Sequence, residues 1–299
     1  MRGQDTWRHE ASGCAAQHPE LGTPQPCTTL RGRAGRAGAS GLLLLVLLGL
    51  WSSGQPTASP WPLRAVAGRR DTSAAARIPF PPVQWKALLL AGDDAIDAFD
   101  HAIEALAILL QHHHITVVQQ FSTNPTKVSA TVHPATTAQL RAAIPVLQVQ
   151  PGEGCLVYAT SHGTVEGLTL ARDPASGYRL SPPQLHRVVH AACGEAPTIL
   201  VLSGCYTGTF LREELLGPNL IVLTAAAADR SSFGCRVEAP YTYYDGCFLR
   251  EFDRVSTWQA LHRAVSRCVA VAERALGAPS SAPQAFFGSW MQAVPIPRP

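Results

Sequence analysis

Only two lysines, Lys86 and Lys127, occur in 299 residues, and charged side chains make up 15% of the chain against 46% hydrophobic. Disorder needs the opposite balance, so the composition belongs to a folded core, and the length to one domain or two small ones. The formal charge of +3 is not a nucleic-acid footprint: Arg2, Arg8, Arg31, Arg33, Arg36, Arg64, Arg69, Arg70 and Arg77 crowd the N-terminal quarter, and no basic stripe with interleaved aromatics follows. Gly-x-Ser-x-Gly is absent, which removes the serine hydrolase elbow. The eight cysteines contain no Cys-x-x-Cys and no zinc spacing. No apolar run reaches the ~20 residues that span a bilayer.

What is present begins with Gly41 to Trp51, an unbroken apolar or small run behind Arg31, Arg33 and Arg36. With its basic flank it matches a signal-peptide core, and export follows: periplasmic or secreted, or anchored to a membrane if the segment stays uncleaved. A buried core helix is the alternative. The chain divides into a basic Gly/Pro/Ala-rich extension (1–40), the hydrophobic segment (41–58), a Pro-rich linker (59–83), a folded domain (84–290) and a tail (291–299). Cleavage would remove Cys14 and Cys27. Of Cys155, Cys193, Cys205, Cys235, Cys247 and Cys268, if Cys205 stays a thiol then one more must as well.

From Trp85 onward strands and helices alternate. Expected strands are 86–92, 115–121, 155–161, 167–171, 198–203 and 219–224. Expected helices run 96–110, 135–147, 181–192 and 210–216, with a long one opened by Ser256-Thr257-Trp258-Gln259. Alternation of this kind implies an α/β fold, a three-layer α/β/α sandwich with a mainly parallel sheet. Ligands of such sheets sit beyond the carboxyl ends of the strands.

Two apolar runs end there in reactive residues. One is Cys155-Leu156-Val157-Tyr158-Ala159-Thr160-Ser161-His162-Gly163, the other Thr198-Ile199-Leu200-Val201-Leu202-Ser203-Gly204-Cys205. A histidine beside a thiol raises its reactive fraction and can then protonate a leaving amine. Gly163 and Gly204 allow close backbone approach, and the N–H groups of Gly163 and Cys205 suit an oxyanion hole. Each signal alone is modest, since a cysteine at the end of a buried strand is commonly an inert small hydrophobe; the pairing carries the reading.

The sequence resembles the legumain-like cysteine peptidases, bacterial members above all, which share a caspase-like fold with caspases and gingipains. The resemblance rests on His162-Gly163 and Gly204-Cys205, on the segment Asp229-Arg230-Ser231-Ser232-Phe233-Gly234-Cys235 with Tyr241-Thr242-Tyr243-Tyr244-Asp245, and on Phe99-Asp100-His101-Ala102. It implies an endopeptidase acting on protein or peptide substrates through a Cys205/His162 dyad and a thioester, with no metal and no cofactor. It also implies a substrate pocket near Ser231, Ser232 and Asp245. Ser203 stands where legumains have a glutamate, and Asp93-Asp94 where they have an arginine, so an asparaginyl preference is not carried over. A pocket with Asp245 and one of Asp93 or Asp94 would suit a basic side chain; helix-terminal capping is the alternative for Asp93-Asp94, a surface carboxylate for Asp245. Transpeptidation by the same chemistry, and an inactive peptide-binding domain, are the rival functions.

His112-His113-His114 reads as a turn and not a metal site, because adjacent residues at a helix end point in different directions. His101, His186, His190 and His262 read as surface or packing residues, and Asp229-Arg230 as a local ion pair or a substrate contact.

Overall fold

A computed structural model of the protein describes Pro82 and residues 84–236 and 238–298. The hydrophobic segment at 41–58 and residues 59–81 of the linker lie outside the described residues, and no helix among the described residues is long and apolar enough to cross a membrane. In chain order the elements are β1 (Gln84–Ala91), α1 (Ala98–His112), β2 (Val117–Ser122), β3 (Val132–Pro134), α2 (Thr137–Ala142), α3 (Ile144–Leu147), β4 (Glu153–Thr160), β5 (Gly163–Thr164), β6 (Gly167–Thr169), β7 (Arg179–Leu180), α4 (Pro182–Cys193), β8 (Thr198–Ser203), β9 (Leu220–Thr224), α5 (Tyr243–Phe252), α6 (Trp258–Leu276) and β10 (Gln284–Phe287).

The apolar runs become strands because nearly every side chain in them can be buried, as a strand covered on both faces requires. A seven-stranded sheet results, ordered β10-β9-β8-β4-β1-β2-β3, parallel throughout except for β10 against β9. On one face Leu156, Tyr158, Ile199 and Val201 pack with Phe99 and Ile103 of α1, Phe248 and Phe252 of α5, and Trp258 and Leu261 of α6. On the other, Val157, Leu200 and Leu202 pack with Leu140 of α2, Leu147 of α3, and Leu185 and Val188 of α4. The three-layer α/β/α sandwich is therefore present.

Several details differ from the sequence reading. The helix expected over 135–147 is broken into α2 and α3, because Pro145 enters α3 in its first turn and has no N–H to continue the ladder. The expected helix 210–216 is two short 3₁₀ turns, Thr207–Phe210 and Glu213–Leu215. Thr257, one residue after Ser256, caps α6 by accepting the Ala260 N–H at 3.2 Å. Ser181 and Gln184 form the expected reciprocal cap of α4. The antiparallel edge strand β10 arises in a segment whose prolines and serines carry no strand pattern. The expected domain end at 290 is also passed: Met291, Val294 and Ile296 are each 1% exposed in the core on the α6 side.

Two disulfides brace this frame. Cys155–Cys193 ties the start of β4 to the end of α4, and Cys247–Cys268 ties α5 to α6. Cys235 is disulfide-bonded as well, so the parity count restricted to the last six cysteines does not hold.

Candidate active site

Register decides where the reactive residues meet. In the parallel ladder Ala91 of β1 lies beside Thr160 of β4, which lies beside Ser203 of β8. Two residues further on, past the ends of three adjacent strands, stand Asp93, His162 and Cys205. Strand periodicity puts them on the same side as Tyr158, Thr160 and Ser203, the face covered by α1 and α5. The ladder continues past the strands, with the Ser161 N–H on the Ser203 carbonyl at 3.0 Å and the Gly92 N–H on that of Thr160 at 3.0 Å.

The two glycines serve a purpose different from the one expected of them. A methyl group on Gly163 would lie 2.1 Å from the carbonyl oxygen of Cys205, and one on Gly204 would lie 2.6 Å from that of Ser161. The His162 and Cys205 loops are therefore in backbone contact, and only glycine permits it. Gly204 faces the neighbouring loop, not a space for substrate.

Cys205 remains a thiol and is 2% exposed. The N–H of Ser232 donates to its Sγ at 3.3 Å, and the Sγ–H faces the Ser232 carbonyl at 3.5 Å. Burial pushes the thiol pKa up, and the contacts with Ser232 and Ser231 oppose this. His162 is less enclosed; its ring meets Phe99 edge-on, centroids 5.2 Å apart, and its Nδ1 is buried without a hydrogen-bond partner among the described residues. Burial lowers the His162 pKa, while the charge of Asp93 raises it. In each residue burial works against the charged form.

The expected pocket residues are rearranged. Ser231 and Ser232 border the thiol itself, Ser231 Oγ reaching Tyr206 Oη at 3.5 Å. Asp245 is a correction: it is fully buried, accepting hydrogen bonds from Thr160 Oγ1 and Thr242 Oγ1, each at 2.8 Å, and from the hydroxyl of Tyr158. Burial raises its pKa against these hydroxyls and that of Ser203. Ser203, 1% exposed, lies 3.5 Å from Thr242 in the same cluster, behind the reactive row and not on a pocket wall. Asp94 pairs with Arg172, Nε to Oδ2 at 2.9 Å, which neutralises it as a receptor for a basic side chain. Asp93 Oδ1 accepts the Ala95 N–H at 2.8 Å in a local turn, whereas α1 begins only at Ala98, so neither aspartate caps that helix.

His112-His113-His114 is not a solvated turn: His112 is the last residue of α1 and His113, its C-cap, is buried. His113 is buried with Nε2 2.6 Å from Asp253, joining the end of α1 to the α5–α6 turn, and no metal-binding group of three donors occurs among the described residues. Asp229 and Arg230 approach to 3.8 Å.

Comparison with known proteins fits this geometry. The model of the Peptidase C13 family matches residues 110–265, which contain both His162 and Cys205. The chain belongs to the Peptidase C13 family. Membership makes it a cysteine-peptidase type of protein, with peptides or proteins as the matching substrate class. Among solved structures it is similar to caspase-1 of Spodoptera frugiperda, at 12% identity and TM-score 0.50, over 71% of this chain and 88% of that one. It is likewise similar to a protein of Geobacter sulfurreducens, at 14% identity and TM-score 0.51, over 72% and 98%. At such identities the likeness speaks for the fold alone. No curated protein matches the chain.

Proposed function

We propose that this member of the Peptidase C13 family is an active cysteine endopeptidase with Cys205 as nucleophile and His162 as base and acid. The observation that carries the reading is the in-register delivery of His162 and Cys205 from neighbouring strand ends held in contact by Gly163. The Cys205 thiol gives its proton to the imidazole as sulfur bonds to the scissile carbonyl carbon. Negative charge on the carbonyl oxygen meets the N–H groups of Gly163 and Cys205. The tetrahedral species collapses to a thioester as the C–N bond breaks and the imidazolium protonates the leaving amine; water, deprotonated by the same imidazole, then releases the acid. Asp93, at the third strand end, stabilises the imidazolium formed midway.

A second reading, transfer of the acyl group to an amine, draws support from the burial of Cys205, because restricted access of water to a thioester favours aminolysis. Cys155–Cys193 and Cys247–Cys268 fit an oxidising compartment, in line with export.

The test is hydrolysis of a peptide library by the full-length protein, read by mass spectrometry with and without an added amine. Cys205→Ala and His162→Ala should each abolish turnover; activity surviving either change refutes the dyad. Amine-capped products would establish transfer. A wild-type protein that binds but cuts nothing, with a Cys205 unreactive toward iodoacetamide at pH 6, would identify an inactive binding domain.

A further inference from the structure

His162 lacks the support that commonly orients a reactive imidazole. A partner on one ring nitrogen sets the tautomer and holds the ring in place for its work as a base, but Nδ1 of His162 is buried and meets no hydrogen-bond partner among the described residues. Asp93 does not fill that role: its Oδ1 takes the Ala95 N–H at 2.8 Å, and it acts on the imidazole as a charge. What meets the ring is Phe99, with an interplanar angle of 83° and centroids 5.2 Å apart, the edge-on arrangement that aromatic pairs prefer. Rotation of the imidazole about its Cβ–Cγ bond would break this contact.

Phe99 is itself held in place. It is fully buried in the first turn of α1, a turn without a side-chain cap at Asp97. The tie between that turn and the sheet is the next residue, Asp100, whose Oδ1 accepts the Ser122 hydroxyl at 2.6 Å. Ser122 Oγ in turn accepts the Asn124 N–H at 2.9 Å, and Asp100 and Ser122 are each 1% exposed. A hydrogen bond to a carboxylate in a dry interior is strong, so the end of β2 sets where α1 begins. In the ladder Ser122 lies beside Ala91, and Ala91 beside Thr160, two residues before His162. Support thus passes from Ser122 through Asp100 and Phe99 to the imidazole.

We propose that Phe99 is a positioning residue for His162: its ring, tied to the sheet by the Asp100–Ser122 hydrogen bond, holds the imidazole plane that no hydrogen bond to Nδ1 holds. The assignment rests on the peptidase reading and adds to it a residue that takes no proton and forms no bond. An imidazole free to turn meets the Cys205 thiol in the wrong orientation for most of the time, which lowers the rate of attack and leaves substrate binding as it was.

Two measurements on the full-length chain test it. The first is steady-state hydrolysis of a peptide that the wild-type protein cleaves. Phe99→Leu should lower kcat at least tenfold with KM within twofold, and 4-fluorophenylalanine in place of Phe99, which keeps the ring, should retain the wild-type rate. The second is NMR of histidine-labelled protein in the Cys205→Ala background. There Phe99→Leu should shift the His162 ring signals and leave those of His186 and His190, on α4 across the sheet, in place. Ser122→Ala removes the tie and keeps the ring. It should reproduce both effects in smaller measure, which keeps the test decisive if circular dichroism shows that Phe99→Leu does not fold. In an active protein, a kcat loss without shifted His162 signals, shifted signals without a kcat loss, no change in either, or a lower Tm as the sole effect overturns the positioning role. A 4-fluorophenylalanine protein as slow as Phe99→Leu overturns it too. His162 signals that move in the stated pattern, in a chain whose wild-type form hydrolyses nothing, uphold the hold of Phe99 on the imidazole and refute the peptidase reading alone.

Discussion

Gly163 and Cys205 sit so close that the space for a Gly163 side chain is already filled by the Cys205 carbonyl oxygen, 2.1 Å from where a methyl carbon would be. The obstacle is backbone and cannot rotate away. Gly163→Ala should therefore separate the two loops and lower kcat/KM on any cleaved peptide by at least 10²-fold, through lost alignment and a lost oxyanion donor. An alanine variant of normal activity would show that the loops need not touch.

Asp93 acts on His162 through charge. Removing it in Asp93→Asn takes away the interaction that raises the imidazole pKa, so burial alone governs and the pKa falls further. The base form is the active one, so the acid limb of the kcat/KM profile, already below the ordinary histidine value of ~6.5, should move to still lower pH. At the plateau kcat should drop, since the imidazolium formed during attack loses its counter-charge. An acid limb that stays in place or moves upward contradicts the assignment.

Asp245 separates structural from specificity roles. Asp245→Ala would strand the hydroxyls of Tyr158, Thr160 and Thr242 in a dry interior, and the loss should be about 2–4 kcal/mol of unfolding free energy by urea titration. A variant of unchanged stability but altered preference beside the cut bond would return Asp245 to the substrate pocket.

The Cys155–Cys193 bridge closes a separation of 38 residues. Replacing both by serine should cost about 4 kcal/mol by chain entropy, visible as a lower Tm, with the catalytic rate of the folded fraction retained because the bridge lies at the opposite end of β4 from His162. A rate that falls with the bridge would mean that β4 itself shifts.

The strands and the reactive pair were legible because a parallel strand buried on both faces must be a continuous apolar run, and such runs in this chain stop at Ser161-His162-Gly163 and Gly204-Cys205. Helix α5 was not, since it begins with Tyr243-Tyr244-Asp245-Gly246, residues of weak helical preference whose cap, Thr242, is recognisable only once its hydroxyl receives the Asp245 N–H. Strand β10 escaped for a related reason: four residues between prolines and serines take strand form only because β9 offers an open edge.

Chain order and residue type thus determined the sandwich, the two strand ends and the identity of the thiol and imidazole, all of which follow from local patterning. Only the tertiary structure decided that Gly163 and Gly204 meet backbone, that Ser232 closes over the thiol, that Asp94 is spent on Arg172 and that Asp245 lies beneath the site. Those outcomes depend on the lateral register of β1, β4 and β8 and on α5 folding back over them, and contacts between residues 27 to 87 positions apart leave no periodic trace in sequence.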